Sequence, residues 1–150
     1  MGSPQVLTRK YLRAVESMGP AENVARFYSR DIEFHEFPNW IVRRGRVRRR
    51  AELQAAYGEA QKLLRSQRYE VRRIVENEDN VAVELEWTGV QAVPVAAIYL
   101  APGHEMKVFV AMFLTFRDGT IVSQRNYDGY PPIEAAATEG MSRRSGSRFG

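Results

Sequence analysis

From Tyr69 to Tyr130 the apolar residues keep a period of two, and that alternation limits the possible folds more than any other feature of the chain. A period of two sends successive side chains to opposite faces of a strand, whereas a helix repeats every 3.6 residues. Tyr69 to Glu76 reads as a strand and Glu78-Asp79-Asn80 as its turn. Val81, Val83, Leu85 and Trp87 then line one face of the next strand, with Glu84 and Glu86 on the other. Such a hairpin has one wet face. Lys107 to Phe116 is almost continuously apolar, which predicts a strand covered on both sides. Arg117-Asp118-Gly119-Thr120 turns it into Ile121 to Tyr130, and Pro131-Pro132 closes the run.

The first third of the chain supplies the cover. Leu7, Tyr11, Ala14, Val15 and Met18 recur at helical spacing up to Gly19-Pro20, and Val24, Phe27 and Tyr28 repeat it in a second, shorter helix. Asp31 to Phe37 alternates as a strand that Pro38 ends, and Leu53, Tyr57, Ala60 and Leu64 mark a third helix running to about Ser66. The order α-α-β-α-β-β-β-β predicts an α+β domain, a curved, mostly antiparallel sheet wrapped around helices to leave a cone-shaped cavity. Residues 1–133 form this domain. Residues 134–150, poor in apolar side chains, are expected to be a flexible tail.

At 150 residues the chain has room for one domain and one core. It contains no cysteine and two histidines, His35 and His104, so disulfides and thiolate chemistry are excluded, and neither a metal nor a cofactor is expected. No apolar run approaches the roughly 20 residues that cross a bilayer, and residues 1–10 lack the apolar centre of a secretory signal. A cytoplasmic protein without membrane contact is expected. The net charge of +4 sits in one place: six arginines lie between Arg43 and Arg50, and the rest of the chain is net acidic. No nucleic-acid-binding signature accompanies them, so the patch reads as a solvated surface outside the cavity and a nucleic-acid partner is not expected.

Strand parity nominates the chemistry. Glu36 shares a face with Ile32 and Phe34, which aims its carboxylate inward, where desolvation favours the neutral acid and suits it to proton transfer. Asp128 shares a face with Gln124, Asn126 and Tyr130; consecutive polar groups on one side of a core strand fit a cavity wall. His35 falls on the face opposite Glu36, and His104 in a Pro-Gly loop, so both read as surface residues. Phe34, Tyr57, Trp87 and Phe113 are candidates to shape an apolar cavity, and Tyr11, Phe27 and Tyr28 belong to its lining or to the core. The Gly89 to Glu105 connection is long and apolar, as lids and binding loops are.

Val81-Ala82-Val83, Thr88-Gly89, Ala101-Pro102-Gly103 before a buried strand, and Asp118-Gly119-Thr120-Ile121-Val122 leading to Asn126-Tyr127-Asp128 resemble the SnoaL-like polyketide cyclase family, within the nuclear-transport-factor-2-like superfamily of α+β cones. The resemblance implies that Asp128 is the acid/base for closing a ring by an intramolecular aldol step, and that the chain forms a homodimer. Phe34 to Pro38 is similar to the first strand of limonene-epoxide-hydrolase relatives, but the catalytic aspartate of their last strand falls at Asn126 here. Val108 to Thr115 carries neither the His of acid/base members nor the Arg-x-Asp of the epoxide hydrolases. The expectation is a cofactor-independent cyclase acting on a linear polyketide or a similar hydrophobic small molecule. Asp128 and Glu36 would handle protons, and Asn126, Gln124 and Tyr130 would bind the substrate. Closure directed mainly by cavity shape, a ketosteroid-isomerase-like proton shuttle, an epoxide-hydrolase-like enzyme and a non-catalytic small-molecule-binding or scaffold domain are the alternatives.

Overall fold

A computed structural model describes residues 2–94 and 102–131. The expected tail at 134–150, and the centre of the connection read as a lid, lie outside the described residues. The chain runs α1 (Pro4–Glu16), α2 (Glu22–Ala25), β1 (Tyr28–Glu36), β2 (Arg46–Arg48), α3 (Arg50–Leu63), β3 (Leu64–Asn77), β4 (Asn80–Gln91), β5 (Glu105–Arg117) and β6 (Thr120–Gly129). Ser3 opens α1 by accepting the Val6 N–H at 3.3 Å, and Pro4 occupies the first turn, where its missing N–H costs nothing. Glu52 accepts the Arg49 N–H at 3.0 Å and so caps α3.

The six strands form one curved, unclosed sheet in the order β2-β1-β6-β5-β4-β3. Every neighbouring pair is antiparallel except β1 and β6. The helices cover one face: α1 buries Thr8, Tyr11, Leu12 and Val15 there, and α3 buries Leu53 and Tyr57. Between helices and sheet lies the core, in which Ile32, Leu85, Met112, Leu114 and Ile121 are fully buried. Among the described residues no helix is long and apolar enough to cross a membrane.

Four sequence expectations need correcting. The second helix ends at Ala25, and Tyr28, read as part of it, opens β1. The third helix stops at Leu63 rather than near Ser66, because Leu64 is already extended and pairs with Gln91 in the sheet. A strand that periodicity did not reveal, β2, lies in the arginine-rich connection and pairs Phe34 with Arg48 and Glu36 with Arg46. Gly45 permits this hairpin: its φ is +67°, and a Cβ there would press to 2.6 Å on the Glu36 carbonyl. Finally, β5 is covered on one face only. Val108, Val110, Met112 and Leu114 are buried, while Phe109 and Phe113 are 51% and 47% exposed on the far side. Phe113 therefore lines no cavity; it meets Tyr127 edge-on at 5.9 Å on the outer surface.

Trp87 folds its indole back across Gly89, two residues on along the same face of β4, where any Cβ would collide with the ring. We expect Gly89→Ala to expel Trp87 from this seat, shifting its fluorescence to the red in a Trp40→Phe background and costing about 1–3 kcal/mol. Emission spectra and urea denaturation measure both.

Candidate functional site

Strand register arranges the inner face in rungs. One rung joins Arg48 of β2, Phe34 of β1, Gln124 of β6 and Leu114 of β5; the next joins Arg46, Glu36, Asn126 and Met112. Further along, Asp128 stands beside Val110 and Leu85, and Trp87 stands between Val108 and Tyr69. The polar side chains thus come from β2, β1 and β6, and β3 to β5 add apolar and aromatic walls. Two connected hollows occupy this face. The first, of ≈ 180 Å³, is lined by Trp87, Val108, Val110, Asp128 and Tyr130; the second, of ≈ 200 Å³, by Tyr11, Tyr28, Phe34, Arg48, Tyr57 and Gln124. Tyr69, Met112 and Asn126 line both.

A chain of hydrogen bonds fixes which way Asn126 points. The Tyr11 hydroxyl donates to Gln124 Oε1 at 3.1 Å and lies 2.6 Å from the Tyr28 hydroxyl. A phenol has one proton, so with Tyr11 donating to Gln124 the shorter bond must run from Tyr28 to Tyr11. Burial pushes both phenols above their usual range and keeps them protonated. The Gln124 amide then donates through Nε2 to Asn126 Oδ1 at 3.2 Å. With its oxygen occupied, Asn126 presents its NH₂ as a donor at the junction of the two hollows.

Asp128, next on the same face, is the opposite case. Its Oδ1 is buried and has no hydrogen-bond partner among the described residues. Burial is the main reason its carboxyl rises from 3.8 to about 6; the charge of Glu36 adds to the rise and Arg48 opposes it. An acid poised near neutrality can both accept and return a proton. Tyr130, raised by burial and by the negative charges of Asp128 and Glu36, remains a hydroxyl donor at the rim.

Glu36 faces inward as its parity predicts, but it is not a free acid. Arg46 Nε and Arg48 Nη2 reach its Oε1 at 3.0 and 3.4 Å, and Asn39 Nδ2 reaches Oε2 at 3.1 Å. Held by three donors, the carboxylate anchors the β1–β2 edge, which corrects the expectation that it transfers protons. The arginine patch is corrected with it. Arg43, Arg44 and Arg49 are exposed, but the side chain of Arg48 is only 18% exposed and lines the second hollow.

The remaining candidates divide. Gln124, Asn126, Asp128, Tyr130, Phe34 and Trp87 gather on the inner face, with the Trp87 indole N–H donating to Gln67 Oε1 at 2.8 Å. Tyr57 gives only its ring to the second hollow: its hydroxyl donates to the Ala14 and Val15 carbonyls at 3.4 and 3.3 Å, which ties α3 to the end of α1. Phe113 is outside. His35 is partly buried on the outer face, stacked 6.3 Å from Phe37, and His104 is exposed. Arg48 and Tyr69 were missing from the sequence-derived set. The signal for Tyr69 was its register opposite Trp87; for Arg48 it was the alternation Arg46-Val47-Arg48 just after a glycine.

Comparison with known proteins agrees with this fold. AclR, a candidate hydroxylase from Streptomyces galilaeus, matches with a TM-score of 0.72 and 18% identity, over 89% of this chain and 83% of its own. IdmH, a candidate polyketide cyclase from Streptomyces antibioticus, gives 0.71 and 20% over 85% and 92%. A protein of ketosteroid-isomerase-like fold from Catenulispora acidiphila gives 0.68 and 13% over 89% and 92%. At these identities the likeness is one of fold, and the fold is the expected α+β cone. No curated protein sequence matches. The model of the SnoaL-like domain, however, matches residues 8–124 and so spans α1 to the inner-face glutamine of β6; the chain belongs to the SnoaL-like domain family.

Proposed function

We propose that this SnoaL-like protein is a cyclase that closes a ring in a hydrophobic carbonyl chain, such as a linear polyketide, by an aldol step centred on Asp128. The observation that carries the reading is a carboxylate with an unpartnered oxygen, raised to about 6, in a largely apolar chamber beside an amide held as a donor. Asp128 takes the proton from a carbon flanked by carbonyls, and the electron pair passes to a carbonyl oxygen, where the Asn126 NH₂ and the Tyr130 hydroxyl donate. That carbon then adds to a second carbonyl further along the chain. The new alkoxide recovers the proton from Asp128, so one C–H bond and the π bond of the attacked carbonyl are exchanged for one C–C and one O–H bond. Trp87, Val108, Val110 and Met112 hold the chain folded for attack, which lowers the barrier by fixing geometry. IdmH, named as a candidate polyketide cyclase, lends this reading its substrate class.

Asp128→Asn tests it. On a cyclisable polyketone substrate we expect kcat to fall by about 10²–10⁴-fold, the usual weight of a general base. Wild-type kcat/KM should rise with pH through about 6, because the base must be ionised. A loss of only a few-fold would instead point to closure directed by cavity shape. Stability should move the other way. A carboxyl whose folded pKa is raised binds its proton more tightly in the folded state, so the folded state loses stability as pH rises from about 4 to about 6. Asp128→Asn should therefore be more stable than wild type by about 2 kcal/mol at pH 8, and the gain should vanish below pH 4. Urea denaturation at the two pH values reads this directly.

We propose further that the chain works as a homodimer joined through the outer face of the sheet. Phe109, Phe113 and Tyr127 are exposed there, Phe37 stacks on Tyr127 at 4.2 Å, and Arg125 lies 4.7 Å above Phe37. Charges of both signs flank the aromatics, with Arg72 paired to Glu70 and Glu86, so a two-fold copy meets complementary charge. We expect sedimentation equilibrium to give twice the chain mass for wild type and the single-chain mass for the double variant Phe109→Glu, Phe113→Glu.

A further inference from the structure

The Arg48 guanidinium reaches into the second hollow from an edge strand, 5.4 Å from the centre of the Phe34 ring. Its bond to Glu36 does not account for this placement. Arg46 takes the same Glu36 oxygen at the shorter distance, 3.0 against 3.4 Å, and Asn39 takes the other oxygen at 3.1 Å. Glu36 is thus satisfied without Arg48. Meanwhile Arg48 Nε is buried and has no acceptor among the described residues. A cation removed from water with a donor left over is costly and calls for a partner. The polar groups that share its hollow are the phenols of Tyr11, Tyr28, Tyr57 and Tyr69 and the amides of Gln67, Gln124 and Asn126, of which the Tyr57 hydroxyl and Gln67 Oε1 are engaged elsewhere. The oxygens of Tyr11, Gln124 and Asn126 already accept bonds within the relay. Asp128 forms no ion pair with Arg48.

We propose that Arg48 and the Asn126 amide form an anion subsite that holds a planar, negatively charged oxygen group of the ligand, an enolate or a carboxylate. For the enolate the assignment rests on the cyclase reading and deepens it; for the carboxylate it stands alone. For the enolate, charge balance gives the reason. Arg46 and Arg48 balance Glu36 and ionised Asp128. When Asp128 takes a proton from a carbon acid, the protein groups are left with one surplus positive charge, and the enolate supplies the matching negative one. The guanidinium fork suits such an oxygen pair better than a point charge would.

The test uses the full-length chain and two probes of nearly equal shape, 2-naphthoate and its neutral counterpart 2-naphthamide, titrated by calorimetry at pH 7.5. We expect wild type to prefer the anion by roughly tenfold or more, the usual weight of a charge-assisted bond. Arg48→Met should reduce the preference to within about twofold, exposed Arg44→Met should keep it, and Asp128→Asn, which removes a negative charge from the same chamber, should raise it. Equal binding of the two probes by wild type, or a preference that survives in Arg48→Met, overturns the subsite, as does equal loss in Arg44→Met. If Arg48→Met fails to fold by circular dichroism, the wild-type comparison still decides, with Arg48→Lys expected to retain part of the preference. Because no turnover is involved, failure here and failure of the Asp128 reading are separate results.

Discussion

Everything on the inner face depends on how one strand satisfies its polar groups away from water. The side chains of Gln124, Asn126 and Asp128 project from β6 into a space otherwise walled by Met112, Val110 and Leu85. A buried amide without partners costs on the order of 1–3 kcal/mol. The solution is serial: Tyr28 gives to Tyr11, Tyr11 to Gln124, and Gln124 to Asn126. That relay ties α1, β1 and β6 together, and it works in only one direction. Its last free donor, the Asn126 NH₂, is therefore set by the Tyr28 phenol at the far end of the relay.

Much of this was legible in the sequence because parity is a strict rule in strands. Once Ile121 to Tyr130 is read as a strand, Gln124, Asn126 and Asp128 must share a face, and the structure puts that face inward. Parity fails where both faces are apolar. Phe113 and Met112 lie on opposite sides of β5, and nothing local says which side is inside; the pairing of Met112 with Asn126 decides it. Three-residue β2 is too short to show a period, and its arginines match the composition of a solvated loop. Glu36 combines both cases. Its direction follows from its own strand, but its role follows from partners 10 and 12 residues away, brought back by a turn that only Gly45 announces.

The same hairpin changes what the positive charge means. Taken as a run, Arg43 to Arg50 is a patch on the surface. Folded, it splits by strand parity: Val47 points out at 49% exposure while Arg48 turns in, and Arg46 leans over the rim onto Glu36. Burying a guanidinium is tolerable here because one acid, one aromatic face and several hydroxyl and amide dipoles surround it. The acid near Asp128 also acts on it through its charge. Glu36 helps to hold the Asp128 proton while Arg48 opposes it, so the edge strand tunes the group that sits two strands away.

Three buried side-chain polar atoms lack a partner among the described residues: Gln91 Oε1, Arg48 Nε and Asp128 Oδ1. The last two are a donor and an acceptor of opposite charge in adjoining hollows, yet they form no ion pair. Had the fold been selected for stability alone, closing that gap would be the simplest gain available, since each orphan costs more than a made bond returns. The chamber consequently offers an acceptor at one end, a donor at the other and an amide N–H between them, with aromatic and aliphatic walls on the remaining sides. An apolar molecule could fill it and satisfy none of the three; a fully polar one would forfeit the walls. On the proposed reading, a hydrophobic chain carrying an acidic C–H beside a carbonyl would present the proton to Asp128 and the oxygen to Asn126 and Arg48. In that proposal the bonds left unmade by Arg48 Nε and Asp128 Oδ1 are the ones the ligand completes.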